Sequence, residues 1–114
     1  METGRVPAHL EISGMIRSCG QQGGFGTVLA KGERDAGTIL VICCEKGTNC
    51  RLYERMPQLD GTRKWTLTRK QDTENKIEFS DYWQRRKRQD PDIWIVELDA
   101  ENPEQFIAMD QYVG

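Results

Sequence analysis

The chain has 114 residues, 37% hydrophobic and 30% charged, with a formal net charge of −2. That length suits one domain and buries roughly two thirds of its unfolded surface without metal or disulfide staples. The charge excludes a global pull toward nucleic acid or anionic lipid, and no apolar run approaches the roughly 20 residues that span a bilayer. METGRVPAHLE lacks a signal-type apolar core, so a cytoplasmic protein with reduced cysteines is expected.

Residues 1–8 read as a loose segment. In HLEISGMIRSCG, Ile12, Met15, Ile16 and Cys19 form a helical stripe that Gly20, Gly23 or Gly24 would end. The alternation of Leu10 and Ile12 leaves a strand followed by a shorter helix as the other reading. From residue 25 the period changes to two. FGTVLAK (25–31), TILVICC (38–44), CRLYERM (50–56) and KWTLTR (64–69) read as strands, punctuated by GERDAG, EKGTN and PQLDGT. Such short connections favour antiparallel neighbours in a meander. TILVICC is the most buried strand, and a hairpin centred on Gly47 puts Cys44 opposite Cys50 and Ile42 opposite Leu52.

Asn75 and Glu78 form a capping-box pattern ahead of an apolar stripe of Phe79, Tyr82 and Trp83, and Pro91 stops that helix. DIWIVEL (92–98) is apolar on both faces and reads as an internal fifth strand. NPEQFIAM (102–109) suggests a short last helix, with Asn102 as cap and Pro103 at its first position, before a loose tail at 110–114. The fold expected is α+β over a single domain, 1–114. It has an antiparallel meander of four or five strands, with one or two helices packed on one face.

The four cysteines, at 19, 43, 44 and 50, contain no C-x-x-C pair, Cys43 and Cys44 alternate to opposite faces, and His9 is the only histidine. No metal and no cofactor is therefore expected. Cys44 and Cys50 are expected to face each other as free thiols. The basic run Arg85, Arg86, Lys87, Arg88 is spread around a helix, because successive residues differ by about 100°. It lies in a last turn, where cations suit the dipole, and residues 76–92 carry five cations against Glu78, Asp81, Asp90 and Asp92. On that reading, replacing Arg86 and Lys87 by Gln costs a few tenths to about 1 kcal/mol for each interaction. The alternative is nucleic-acid binding, with Tyr53, Trp65, Tyr82 and Trp83 stacking beside Arg51, Arg55, Arg63 and Arg69.

QQGGFGT has a helix before its glycines and a strand after them, the reverse of a phosphate-binding loop. KGERDAG places Glu33, Arg34 and Asp35 on an expected hairpin tip, where carboxylates stay solvated. His9 has no nucleophile motif to serve. The candidate binding residues are thus Arg34, Asp35, Arg55, Arg85, Arg86, Arg88, Asp90 and Asp92, and no catalytic residue is assigned.

The stretches GGFGTVLAKGERDAGTILV, YERMPQLDG and RQDPDIWIVELD resemble the bacterial domain-of-unknown-function family numbered fourteen ninety-one, over about residues 8–109. The resemblance implies a compact stand-alone bacterial protein with no established activity, cofactor or partner, so it transfers no site residues. The leading function is a small non-catalytic cytoplasmic binding or adaptor domain, engaging a protein partner or a second copy of itself as a homodimer. The alternative is a nucleic-acid-associated protein using Arg85 to Arg88. A carboxylate-based enzyme comes third, and no membrane partner is expected.

Overall fold

A computed structural model describes residues 6–107. In chain order the elements are α1 (Ala8–Gln21), β1 (Phe25–Ala30), β2 (Ile39–Glu45), β3 (Thr48–Pro57), β4 (Arg63–Lys70), α2 (Lys76–Gln89), β5 (Trp94–Asp99) and a 3₁₀ turn (Pro103–Phe106). The sequence 9–20 is therefore one helix, not a strand and a helix. Its buried stripe is Ala8, Ile12, Met15 and Cys19. Gly23, at φ 89°, ends it, in the left-handed region that glycine enters without a Cβ penalty. Pro7 offers no side-chain cap; instead the Ala8 and His9 amides donate to the carbonyls of Asp35 and Arg34, both at 2.9 Å. Ala8 is buried, so the segment expected to be loose is anchored at its end, while residues 1–5 lie outside the described residues.

The strands form one sheet in the order β1-β5-β2-β3-β4. β2, β3 and β4 are the expected meander, with Ile42 opposite Leu52. The sheet is nevertheless mixed, not antiparallel throughout, because β5 lies between β1 and β2. It runs antiparallel to β1 and parallel to β2, pairing Leu40 with Ile95 and Val41 with Val96. A parallel partner needs a long crossover, which α2 supplies between β4 and β5. The GERDAG segment is accordingly not a hairpin tip. It bridges over β5: Glu33 N donates to Asp92 O at 2.9 Å, Trp94 N to Thr38 O at 2.7 Å, and Trp94 Nε1 to Glu33 O at 2.6 Å.

The helices cover opposite faces, which corrects the expectation of a single covered face. Ile39, Val41 and Cys43 pack with Ile12, Met15 and Cys19 of α1, whereas Leu40, Ile42 and Cys44 pack with Phe79 of α2. β2 forces this arrangement. It is buried from Ile39 to Cys44, and each large aliphatic withdrawn from water stabilises by about 1.5–3 kcal/mol, so neither face is left bare. α2 starts on Asn75, whose side chain accepts from the Glu78 amide, and stops at Asp90, held extended ahead of Pro91.

The last helix is shorter than expected and of the tighter 3₁₀ kind. Asn102 sits at φ 54° without capping through its side chain, and Ile107 is already extended. Buried Pro103 and Ile107 pull the backbone onto the α1 face of the sheet. Residues 108–114, including the expected tail, lie outside the described residues.

Candidate functional site

Each helical element is fastened to β3 by an arginine–glutamate pair, and two of the candidate binding residues are spent there. Arg55 meets Glu11 of α1 through both guanidinium ends, at 2.8 and 3.1 Å, and lies over the Trp65 ring. Arg86 of α2 donates to Glu54 at 2.9 Å and to the Tyr82 hydroxyl at 2.7 Å. Glu54 also accepts from Thr68 and Tyr82. Arg51 grips Glu104 of the 3₁₀ turn at 2.6 and 3.0 Å, and the Tyr53 hydroxyl donates to the same carboxylate. Burial by itself would raise the Glu104 pKa; the bonds from Arg51 and Tyr53 outweigh it and hold the carboxyl below its ordinary range.

The remaining candidates are scattered. Arg85 and Arg88 are exposed on α2, with Arg85 5.8 Å from the centre of the Tyr82 ring, over which Arg69 lies at 4.2 Å. Asp90 Oδ1 accepts from the Asp92 amide at 3.0 Å and closes the turn into β5. Arg34 and Asp35 are exposed near the start of α1, where His9 Nδ1 lies 3.0 Å from the Arg34 carbonyl. The GERDAG loop and the Asp-Pro-Asp corner thus meet through backbone, with Glu33 N on the Asp92 carbonyl, while Arg86 of the basic cluster is turned to Glu54 of β3.

What the fold does assemble lies at the carboxyl ends of the parallel pair β2 and β5, the position where open sheets with parallel strands offer a crevice. Three turns converge there on a cleft of about 740 Å³: Gly23 and Gly24 after α1, Lys46 and Gly47 between β2 and β3, and Ala100 and Glu101 after β5. Gly24 must be glycine, because a Cβ would sit 2.4 Å from the Asp99 carbonyl. Lys46 and Gly47 are both left-handed, at φ 54° and 74°, which turns their amides toward one carboxylate. Asp99 fills that nest, accepting from both amides at 2.8 Å. Phe25, 64% exposed, lines the cleft from β1, where it pairs with Asp99 of β5, and Glu45 and the exposed Glu101 line it as well.

Next to the cleft, on the α2 face, lies a sulfur cluster. Cys44 and Cys50 face each other as the hairpin reading required, with Cα atoms 4.3 Å apart, but they are joined as a disulfide and are not free thiols. That spacing belongs to directly opposed antiparallel neighbours, where side chains come closest. Glu97 of β5 brings Oε2 to 3.2 Å from Cys44 Sγ, a hydrogen-bond distance for a thiol donor. Burial, and then the charge of Asp99, push the Glu97 carboxyl up. Cys19 and Cys43 are free and buried on the α1 face, where burial pushes both thiols up.

Sequence reasoning missed Phe25, Glu45, Glu97, Asp99 and Glu101, since only the pairing of β5 with both β1 and β2 brings these residues to one end of the sheet. The one signal for it was the both-face apolarity of DIWIVEL, which marked β5 as internal without naming its neighbours.

A family model described as "Protein of unknown function (DUF1491)" matches residues 6–108. A search of curated proteins gave no match. Among solved structures, the chain is similar to the crystal structure of a DUF1491 family protein from Caulobacter crescentus CB15. Identity is 28% and the TM-score 0.77, over 90% of this chain and 95% of that one. An NMR structure of a DUF1491 family protein from Caulobacter crescentus CB15 also has 28% identity and a TM-score of 0.77, over 93% and 96% of the two chains. A solution structure from A. tumefaciens shares the fold at 24% identity and a TM-score of 0.70, covering 96% of this chain and 95% of that one.

Proposed function

This chain belongs to the DUF1491 family, whose function is unknown, and we propose from its geometry that it is a binding module seating a basic segment of a protein partner in the cleft beyond β2 and β5. The observation that carries this reading is the composition of the cleft: among the described residues its lining sets an exposed aromatic ring, Glu45, Asp99 and Glu101 against one cation, Lys46. Asp99 is consumed by backbone amides and Glu45 Oε1 is shared with Arg51 and Asn49 at 3.4 Å, which leaves Glu101 and the second Glu45 oxygen to face a visitor. A lysine or arginine side chain satisfies both features at once, laying its charge against carboxylates and over the Phe25 ring.

The setting we propose is the cytoplasm; among the described residues no helix is long and apolar enough to cross a membrane. Self-association is part of the same reading, through β1 or β4, the outer strands of the sheet. Nucleic acid on the α2 cations is the weaker alternative, since Arg86 is tied to Glu54 and Arg69 already covers Tyr82.

Amide chemical-shift mapping of the labelled chain tests the proposal. The probes are a Lys/Arg-rich peptide, an acidic peptide of equal length, and mixed-sequence single-stranded RNA. The expected result is saturable shifts at Phe25, Lys46, Gly47 and Glu101 with the basic peptide alone, lost in a Glu45→Gln/Glu101→Gln variant. Shifts around Arg85 and Arg88 with RNA, and none in the cleft, overturn it.

A further inference from the structure

Among the described residues five glutamates lie half-buried at the sheet, and four of them have an arginine: Glu11 has Arg55, Glu54 has Arg86, and Glu45 and Glu104 share Arg51. Glu97 is the exception. Among the described residues its carboxylate lies 3.2 Å from the Cys44 sulfur, which has a proton to donate only when the disulfide is open, and no cation is paired with it. A carboxylate withdrawn from water without a countercharge is costly unless something supplies one. Beside it stand two sulfurs, and the ligating atoms of Cys44, Cys50 and Glu97 all lie within 4.8 Å of one another.

We propose that in the reduced protein Cys44 Sγ, Cys50 Sγ and the Glu97 carboxylate bind one divalent metal ion of the zinc type. Thiolates select such borderline ions over magnesium or calcium, which prefer oxygen. The donors come from three adjacent strands, β2, β3 and β5, which hold them without help from a loop. Three protein ligands leave one tetrahedral position open, as in zinc sites that take water or a ligand. The site is independent of the peptide reading of the cleft: it uses none of the cleft-lining residues and needs no partner.

The disulfide and the ion are mutually exclusive occupants of the same sulfurs. A dithiol reductant breaks the Cys44–Cys50 bond, giving two electrons and two protons to the protein sulfurs and itself becoming a disulfide. The arriving cation then displaces both thiol protons to solvent and binds the two thiolates and the carboxylate. A small-molecule disulfide reverses this: it accepts the two electrons, takes two protons from solvent and leaves as two thiols, while the Cys44–Cys50 bond re-forms and the ion is expelled, so the chain holds metal only when reduced.

Cobalt(II) is the probe, because thiolate ligation and tetrahedral geometry both appear in its absorption. The full chain is reduced with a dithiol, freed of reductant under anaerobic conditions, checked for four reactive thiols and titrated. One ion per chain is expected, with sulfur-to-metal charge-transfer and intense visible bands that excess zinc(II) removes. The oxidised chain should show none of this. Cys50→Ser should lose the charge-transfer intensity. Glu97→Gln should keep it but bind at least about 10- to 100-fold more weakly, the loss that removal of a group merely supporting a ligand already causes. Should Cys50→Ser fail to fold, Glu97→Gln and alkylation of the wild type carry the test, with zinc shielding Cys44 and Cys50 from the reagent. A fully reduced, folded chain that gives no bands overturns the proposal, as do bands that survive Cys50→Ser or vanish in Cys43→Ser.

Discussion

Arg86 and Lys87 are neighbours in sequence with opposite fates. The Arg86 side chain is 27% exposed and bound to Glu54 and Tyr82, whereas among the described residues Lys87 reaches the Leu29 carbonyl alone, at 3.5 Å. The expectation that both are dispensable therefore needs revision. Arg86→Gln should cost about 1–3 kcal/mol, the range for a hydrogen bond to a charged group, while Lys87→Gln should stay within about 0.5 kcal/mol. Urea melts of the two single variants separate them, and equal midpoints would show that the Glu54 contact is worthless. Glu104 makes a prediction about acid. Its carboxyl titrates lower in the folded chain than in the unfolded one, so its contribution is complete above the unfolded value and fades as pH falls through the folded one. Glu104→Gln should therefore be less stable than wild type at pH about 7, and the gap should narrow well below the ordinary glutamate range of about 4.3. A gap that is constant with pH would mean that Arg51 and Tyr53 bind the amide as well as the carboxylate.

At the scale of elements, period and punctuation carried most of what the sequence could say. Ile12, Met15 and Cys19 marked α1, the unbroken run from Ile39 to Cys44 marked the central strand, and the turn after Glu45 set Cys44 against Cys50. Strand order was not written in any local pattern. GERDAG contains the residues of a tight turn and nothing that announces another strand beneath it. Only its glycines hint at that, since a Cβ on Gly32 or Gly37 would stand 2.2 Å from the Asp92 carbonyl. Gly32→Ala should consequently destabilise by about 1–3 kcal/mol, the cost of overpacking, although the position lies in a connecting segment. Trp94→Ala, which removes a buried ring and its bond to Glu33, should cost about 3–5 kcal/mol. Thermal melts rank the two; a neutral Gly32→Ala would mean that the bridge can lift off β5. The binding residues were less legible than the elements, because Phe25, Glu97 and Asp99 acquire meaning only from the register of β5 against β1 and β2.

For the whole molecule, the open question of copies is decided at the sheet edges. β1 exposes Phe25 and Val28, and β4 exposes Leu67. If either strand pairs with its counterpart in a second copy, light scattering should return about twice the 13.1 kDa of the chain, dissociating on dilution. A mass equal to one chain at every concentration removes self-pairing and leaves the cleft for another protein. The placement of β5 also governs how the molecule is made. Phe25 waits for Asp99, and Ile39 waits for Trp94, so β1 finds its partner only after β2, β3, β4 and α2 have left the ribosome. Until then the nascent chain carries β2, its most apolar strand, with one side unclaimed. A message truncated after α2 would release a product with that side open to any passing strand, which is a cause for chaperone capture or aggregation rather than for partial function.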